Sequence, residues 1–312
     1  MATRNKYDQA ARFAGKLDPM GFLLWLLAGM DQFLRFSRWL DTRRLPFPGQ
    51  ADRVCDTVAD LVDANGLTPP WAVIVEFEGE PDPEMPERLL EYAIQARREL
   101  RHGPYGRDKY LVSAVVVNLT GVGSDAALEM TFPGTTGLKL SWQPGVRNLV
   151  TFDATGALAK IQAGQIARCV LPWVPLMAGA DGEGIITEWK RLAAQEPNDR
   201  QRLLYAGLAL IFADKARRRA IWERALEGWN VKEASIIDEW QEEARAEAHR
   251  NDLLRLLRSK FGGALNPELI QAIQKQQTAR ELSHWFDIAL AAGSLEQFEA
   301  ILGIGKNGAA HP

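Results

Sequence analysis

Residues 72–119 constrain the fold more than any other stretch of this chain. The runs AVIVEFE (72–78) and LVSAVVVNL (111–119) are dense in β-branched residues. Between them, residues 86–102 carry Leu89, Leu90, Ala93 and Ile94 at helical spacing. Strand, helix, strand is the order that joins neighbouring strands of an α/β sheet. Further β-rich runs at 128–132, 138–142 and 148–152 are parted by Gly121, Gly123, Pro133, Gly134, Pro144 and Gly145. From about residue 181 the pattern is helical: 183–196, 198–213, 214–228 and 231–261, the last stopped by Gly262 and Gly263. Shorter helices follow at 266–276, 278–292 and 294–302. The small-residue stretch AGADGEG (178–184) reads as a linker. The expectation is an α/β (α+β) core with a mixed sheet over 1–178, a helical extension over 179–250, and a small helical tail over 251–304.

Composition narrows the function classes. With 37 basic and 40 acidic side chains the formal charge is −3, which excludes a generally basic nucleic-acid coat but not a local basic groove. At 46% hydrophobic and 25% charged, the chain is neither disordered nor collagen-like. Cys55 and Cys169 are too few for a disulfide framework or a zinc site, so a cytoplasmic setting is expected. The apolar run 22–29 falls short of the ~20 residues a bilayer span needs and reads as a buried helix. No basic segment with a small-residue cleavage site precedes it. A phosphate-binding G-x-x-x-x-G-K-[ST] loop is missing from the sequence, so no nucleotide cofactor is expected. His102, His249, His284 and His311 show no ligand spacing, and no histidine near Cys55 supports a thiol nucleophile.

The chemistry-bearing residues are acidic. Residues two apart in a strand share a face, so Glu76 and Glu78 project together with Ile74, while Val73, Val75 and Phe77 face a core. Two carboxylates in an apolar strand cost desolvation unless a positive group offsets it, commonly a divalent cation. The bland alternative is the solvent face of an edge strand. Downstream, Arg97, Arg98, Arg101, His102, Arg107 and Lys109 could line a phosphate-contacting groove or simply be solvated. The run Lys215, Arg217, Arg218, Arg219 reads as a solvated face, and Trp189, Trp222, Trp229, Trp240 and Trp285 read as core.

The order Asp52, then EFEGEPDPEMPERLLEYAIQ, resembles the Rpn family of recombination-promoting nucleases and putative transposases, in the PD-(D/E)xK, or restriction-endonuclease-like, superfamily. The opening Tyr7-Asp8 with the apolar helix after it resembles the family's YD-x-x-x-K start. The segment LLRLLRSKFG, then PEL, then SLEQF, resembles a helical tail that follows this nuclease domain, and LPWVPLM (171–177) resembles the junction after the core. The resemblance implies a restriction-endonuclease-like core and Mg²⁺-dependent (or Mn²⁺-dependent) hydrolysis of DNA phosphodiesters, linked to recombination or transposition. It implies catalytic Asp52, Glu76 and Glu78, with metal held by Asp52, Glu76 and the Phe77 carbonyl. Arg88, Tyr92, Gln95, Arg97 and Arg98 would meet the substrate. DNA is then the partner, with no membrane, and Trp285 and Phe298 on amphipathic helices leave room for a homodimer. One departure stands out: most relatives carry Lys or Gln where this chain has Glu78. That substitution and the acidic net charge favour the rival reading, a catalytically inactive nuclease fold serving as a DNA-binding or protein-interaction module.

Overall fold

The computed structural model describes residues 6–28, 34–40, 42, 46–47, 50–102, 110–123, 128–131, 139–229, 233–262 and 265–304. Two compact units emerge, Met1–Glu233 and Ala234–Pro312, and the division falls inside the stretch expected to be a helical extension.

The first unit opens with helices α1 (Lys6–Leu17) and α2 (Pro19–Leu26). Asp18 caps α2 by accepting from Gly21 N–H at 2.9 Å, and Pro19 takes the first turn, where a missing N–H costs nothing. Phe22, Leu23, Trp25 and Leu26 of α2 are buried, as expected for the apolar run. Strands β1 (Leu34–Trp39), β2 (Pro46–Phe47), β3 (Gln50–Val54), β4 (Thr57–Asp63) and β5 (Trp71–Glu78) follow. Helix α3 (Met85–His102) then leads to β6 (Leu111–Asn118), β7 (Leu128–Thr131), β8 (Lys139–Trp142) and β9 (Gly145–Asn148).

The main sheet has the order β1-β4-β5-β6-β9. β1, β4 and β5 run antiparallel in turn, whereas β5, β6 and β9 are parallel, so the sheet is mixed. The β5–α3–β6 crossover is the strand–helix–strand unit read from residues 72–119. β2 with β3 and β7 with β8 form separate two-stranded ribbons. β5 is the central strand, so the edge-strand alternative for Glu76 and Glu78 falls. Both of its faces are covered. Ala72 and Ile74 pack with Val58, Ala114 and Val116 beneath Leu89, Tyr92 and Ala96 of α3. On the opposite face Phe77 meets Phe22 at 6.2 Å between ring centroids and Trp173 at 5.8 Å.

Trp173 lies in the 3-10 helix Arg168–Leu176, all of whose residues from Cys169 onward are buried. Pro172 and Pro175 lack N–H groups, which prevents an ordinary α-helix and leaves fewer buried donors to satisfy. Arg218 Nη1 donates to the carbonyls of Pro175 and Met177, at 2.7 and 2.6 Å. Arg218 thus turns inward, unlike the solvated face expected of that basic run. Helices α4 (Ala154–Gln162), α5 (Glu183–Ala193), α6 (Asp199–Lys215) and α7 (Arg219–Ala225) complete this unit. The stretch 178–184 is pinned within it: Trp222 Nε1 donates to Ala180 O at 3.1 Å, and Ala180 is buried.

Several local expectations shift. The strand expected at 148–152 ends at Asn148 and continues as a 3-10 turn, Leu149–Thr151. The helix expected over 214–228 is broken where Arg217 takes φ 60°, so α7 is only seven residues. β1, β4 and α4 are additions to the sequence reading.

The second unit holds most of α8 (Glu233–Phe261), then α9 (Pro267–Lys275), α10 (Ala279–Ala291) and α11 (Leu295–Leu302). Leu253, Leu257, Leu269, Ile273, Leu282 and Phe298 form its own core. No helix among the described residues is long and apolar enough to cross a membrane.

Candidate active site

Glu76 is 5% exposed in a strand whose neighbours Ile74, Val75 and Phe77 are buried as well. A carboxylate there needs donors. The antiparallel register pairs Thr57 of β4 with Val75 of β5, which brings Asp56, just before β4, alongside Glu76. The Asp56 N–H donates to Glu76 Oε1 at 2.6 Å, and the Phe77 N–H donates to Asp56 Oδ2 at 2.9 Å. Each acid is therefore oriented by the main chain of the strand segment that bears the other. Asp56 Oδ1 is ion-paired with Arg12 from α1, whose side chain is largely buried. The parallel register then sets Glu78, Asn118 and Asn148 in one row across β5, β6 and β9. The acids thus sit at the carboxyl ends of the parallel strands, where open α/β sheets commonly bind ligands.

Glu78 has a separate partner. Arg88 on the first turns of α3 pairs with it through Nη2 and reaches Asp82 Oδ2 at 2.7 Å through Nη1. Asp82 Oδ1 accepts from Glu84 N–H at 2.9 Å and so shapes the turn into α3. Burial pushes the Glu78 carboxyl above its usual range, Arg88 pulls it back down, and Asp82 and Asp8 push it up again. Beside Asp82, Met85, Asn118 and Gly123 line a small pocket with room for about one water. Asn118 Nδ2 donates to Asn148 Oδ1 at 2.8 Å, which also accepts from Gly123 N–H at 2.7 Å.

Of the residues expected from sequence, the structure brings Glu76, Glu78 and Arg88 to this edge. Asp52 lies on β3 of the β2–β3 ribbon, and its side chain falls outside the described residues. The acid observed in contact with Glu76 is Asp56, four residues later. Phe77 joins the site through its N–H, with its ring in the core. Tyr92 is 2% exposed and packs in the core between α3 and the sheet, so its ring is no substrate-facing surface. Gln95 is half-buried, and Arg97, Arg98 and Arg101 are exposed on α3. Arg97 lies about 14 Å along the helix axis from Arg88 at 1.5 Å per residue, so these arginines form a surface apart from the acids. Cys55, next to Asp56, is fully buried; burial, with Glu76 nearby, raises its thiol far from ionisation, which excludes a thiolate nucleophile.

Asp56 and Arg12 were missed for one reason each. Asp56 immediately precedes a strand, β4, that the residue pattern before Pro70 did not announce. Arg12 stands at the Lys position of the resembled YD-x-x-x-K start, a signal present in the sequence.

Among the described residues no group of three or more His, Cys, Asp or Glu side chains is arranged to hold a metal. The donor chemistry nevertheless suits Mg²⁺, which is commonly held by one or two carboxylates completed by water and phosphate oxygens. Asp56 and Glu76 are such a pair, and backbone amides orient both, as carboxylate ligands commonly are. Comparison of the chain with protein-family models, with curated proteins and with solved structures finds no match.

Proposed function

We propose that the chain is a metal-dependent DNA endonuclease of the restriction-endonuclease-like kind, with its centre at Asp56, Glu76 and Glu78. The observation that carries this reading is the pairing of buried Glu76 with the largely buried carboxylate of Asp56, each accepting from a main-chain amide of the segment that bears the other. Such a pair in a core is costly to build and has no packing role that Leu or Val would not fill better. Asp56 and Glu76 would hold the metal ion, Mg²⁺ or Mn²⁺. When bound it lowers the pKa of a water and offsets charge on the phosphate. Glu78 takes the proton of the attacking water at its carboxylate, a task that suits an acid with a raised pKa. Arg88 keeps Glu78 in place from α3. Arg97, Arg98 and Arg101 offer phosphate contacts that position DNA without reading its sequence. In this reading the protein works in the cytoplasm, in recombination or transposition.

A second reading rests on a specific observation. Asp56 and Glu78 each carry an arginine, so both charges are offset without any metal ion. The fold would then be an inactive nuclease scaffold that binds DNA or protein. Incubation of supercoiled plasmid with the protein and Mg²⁺ or Mn²⁺ separates the two. The endonuclease produces nicked circles, and Asp56→Asn and Glu76→Gln abolish them. An intact plasmid with the wild-type protein in both metals leaves only the scaffold.

A further inference from the structure

Arg12 is a largely buried guanidinium that reaches from α1 onto Asp56. The β5 strand brings no cation of its own, since Glu78 stands two residues after Glu76. The positive charges at this centre therefore come from other elements, Arg88 of α3 on Glu78 and Arg12 on Asp56, a carboxylate that also accepts from the Phe77 amide. A guanidinium and a divalent cation at one buried carboxylate repel each other, and weak screening there makes the repulsion strong. We propose that Arg12 is a positioning residue that fixes Asp56 and sets the metal affinity of the site by sharing that carboxylate with the cation. This inference rests on the reading of Asp56 and Glu76 as the metal pair. Arg12 acts through Asp56: its guanidinium orients that carboxylate and, by competing for it, holds metal binding weak.

Three full-length variants test it: Arg12→Gln, Arg12→Lys and Asp56→Asn. The readouts are calorimetric Mg²⁺ titration, the rise of melting temperature with Mg²⁺, and plasmid nicking. Arg12→Gln should bind Mg²⁺ about tenfold more tightly than wild type, because a competing charge is gone, yet nick less, because Asp56 is no longer oriented. Arg12→Lys keeps the charge and should stay near wild type in affinity. Asp56→Asn should lose the Mg²⁺ response. If Arg12→Gln unfolds without metal, millimolar Mg²⁺ should restore its fold by replacing the lost counter-charge. A variant that stays unfolded in Mg²⁺ overturns the inference, as does one with wild-type affinity or weaker. If the wild type nicks and Arg12→Gln matches it in affinity and rate, the inference fails and the nuclease reading stands. If no variant nicks but Arg12→Gln gains Mg²⁺ affinity, the nuclease reading fails and the inference stands.

Discussion

Glu78 shows how a single side chain can be legible by type and misjudged by setting. Its place beside Glu76 follows from alternation in residues 72–78, and both do sit on one strand. Its partner could not be read, because Arg88 is ten residues away and meets it only once α3 folds back along the sheet. Asp56 was harder, since the strand it precedes, TVADLVD, contains two aspartates and an alanine and carries little β signal. Asp60 within that strand is nonetheless buried, held by Arg38 at 3.2 Å and the Tyr110 hydroxyl at 3.0 Å. The setting of Glu78 yields a pH prediction. Burial raises its folded pKa above the unfolded value despite Arg88, so the folded state holds the proton more tightly. That contribution to stability is complete below the unfolded carboxylate range and is lost as pH rises through the folded value. Glu78→Gln cannot ionise. The wild type should therefore lose melting temperature relative to Glu78→Gln as buffers go from acid to neutral, and a constant difference or one of opposite sign would contradict the assignment.

At the scale of elements, the crossover β5–α3–β6 was readable because its period changes from two to 3.6 and back over fewer than fifty residues. The 3-10 helix Arg168–Leu176 was not, because two prolines break any helical period and its apolar density fits several conformations. Its importance shows only in packing. Trp173 stacks on Phe212 at 5.0 Å and on Phe22 at 5.4 Å, and so ties α2, β5 and α6 into one aromatic layer behind the acids. Helix α1, which delivers Arg12, is fastened to α6 by Lys6 and Tyr7 on Asp214, at 2.6 and 3.0 Å. That exposed clamp contributes little stability by itself, so the aromatic layer must carry the load. Trp173→Ala should cost about 3–5 kcal/mol, the range for deleting a buried aromatic side chain. Urea unfolding followed by far-ultraviolet circular dichroism measures it. A loss below ~1 kcal/mol, an ordinary surface effect, would mean that the layer is not the keystone of this face.

For the whole molecule the question is which parts melt together. Residues Ala234–Pro312 form their own unit, and their core draws on α8, α9, α10 and α11 alone. Phe298 is fully buried in that core, held on a helix that Ser294 starts by accepting from Gln297 N–H at 3.2 Å and that Gly303 ends at φ 70°. At roughly 0.05–0.15 kcal/mol per residue, a unit of 79 residues is stable by about 4–12 kcal/mol. Deleting a buried phenylalanine side chain typically costs ~3–5 kcal/mol, a large share of that total. In the full-length chain, Phe298→Ala should therefore lower one helical transition sharply. The transition of the sheet unit should stay in place, because its core shares no residue with this one. Calorimetry resolves the two endotherms. Plasmid nicking, if the endonuclease reading holds, should be unchanged below the lowered transition, since every proposed site residue lies in Met1–Glu233. A single endotherm that moves as a whole would show instead that the two cores unfold as one.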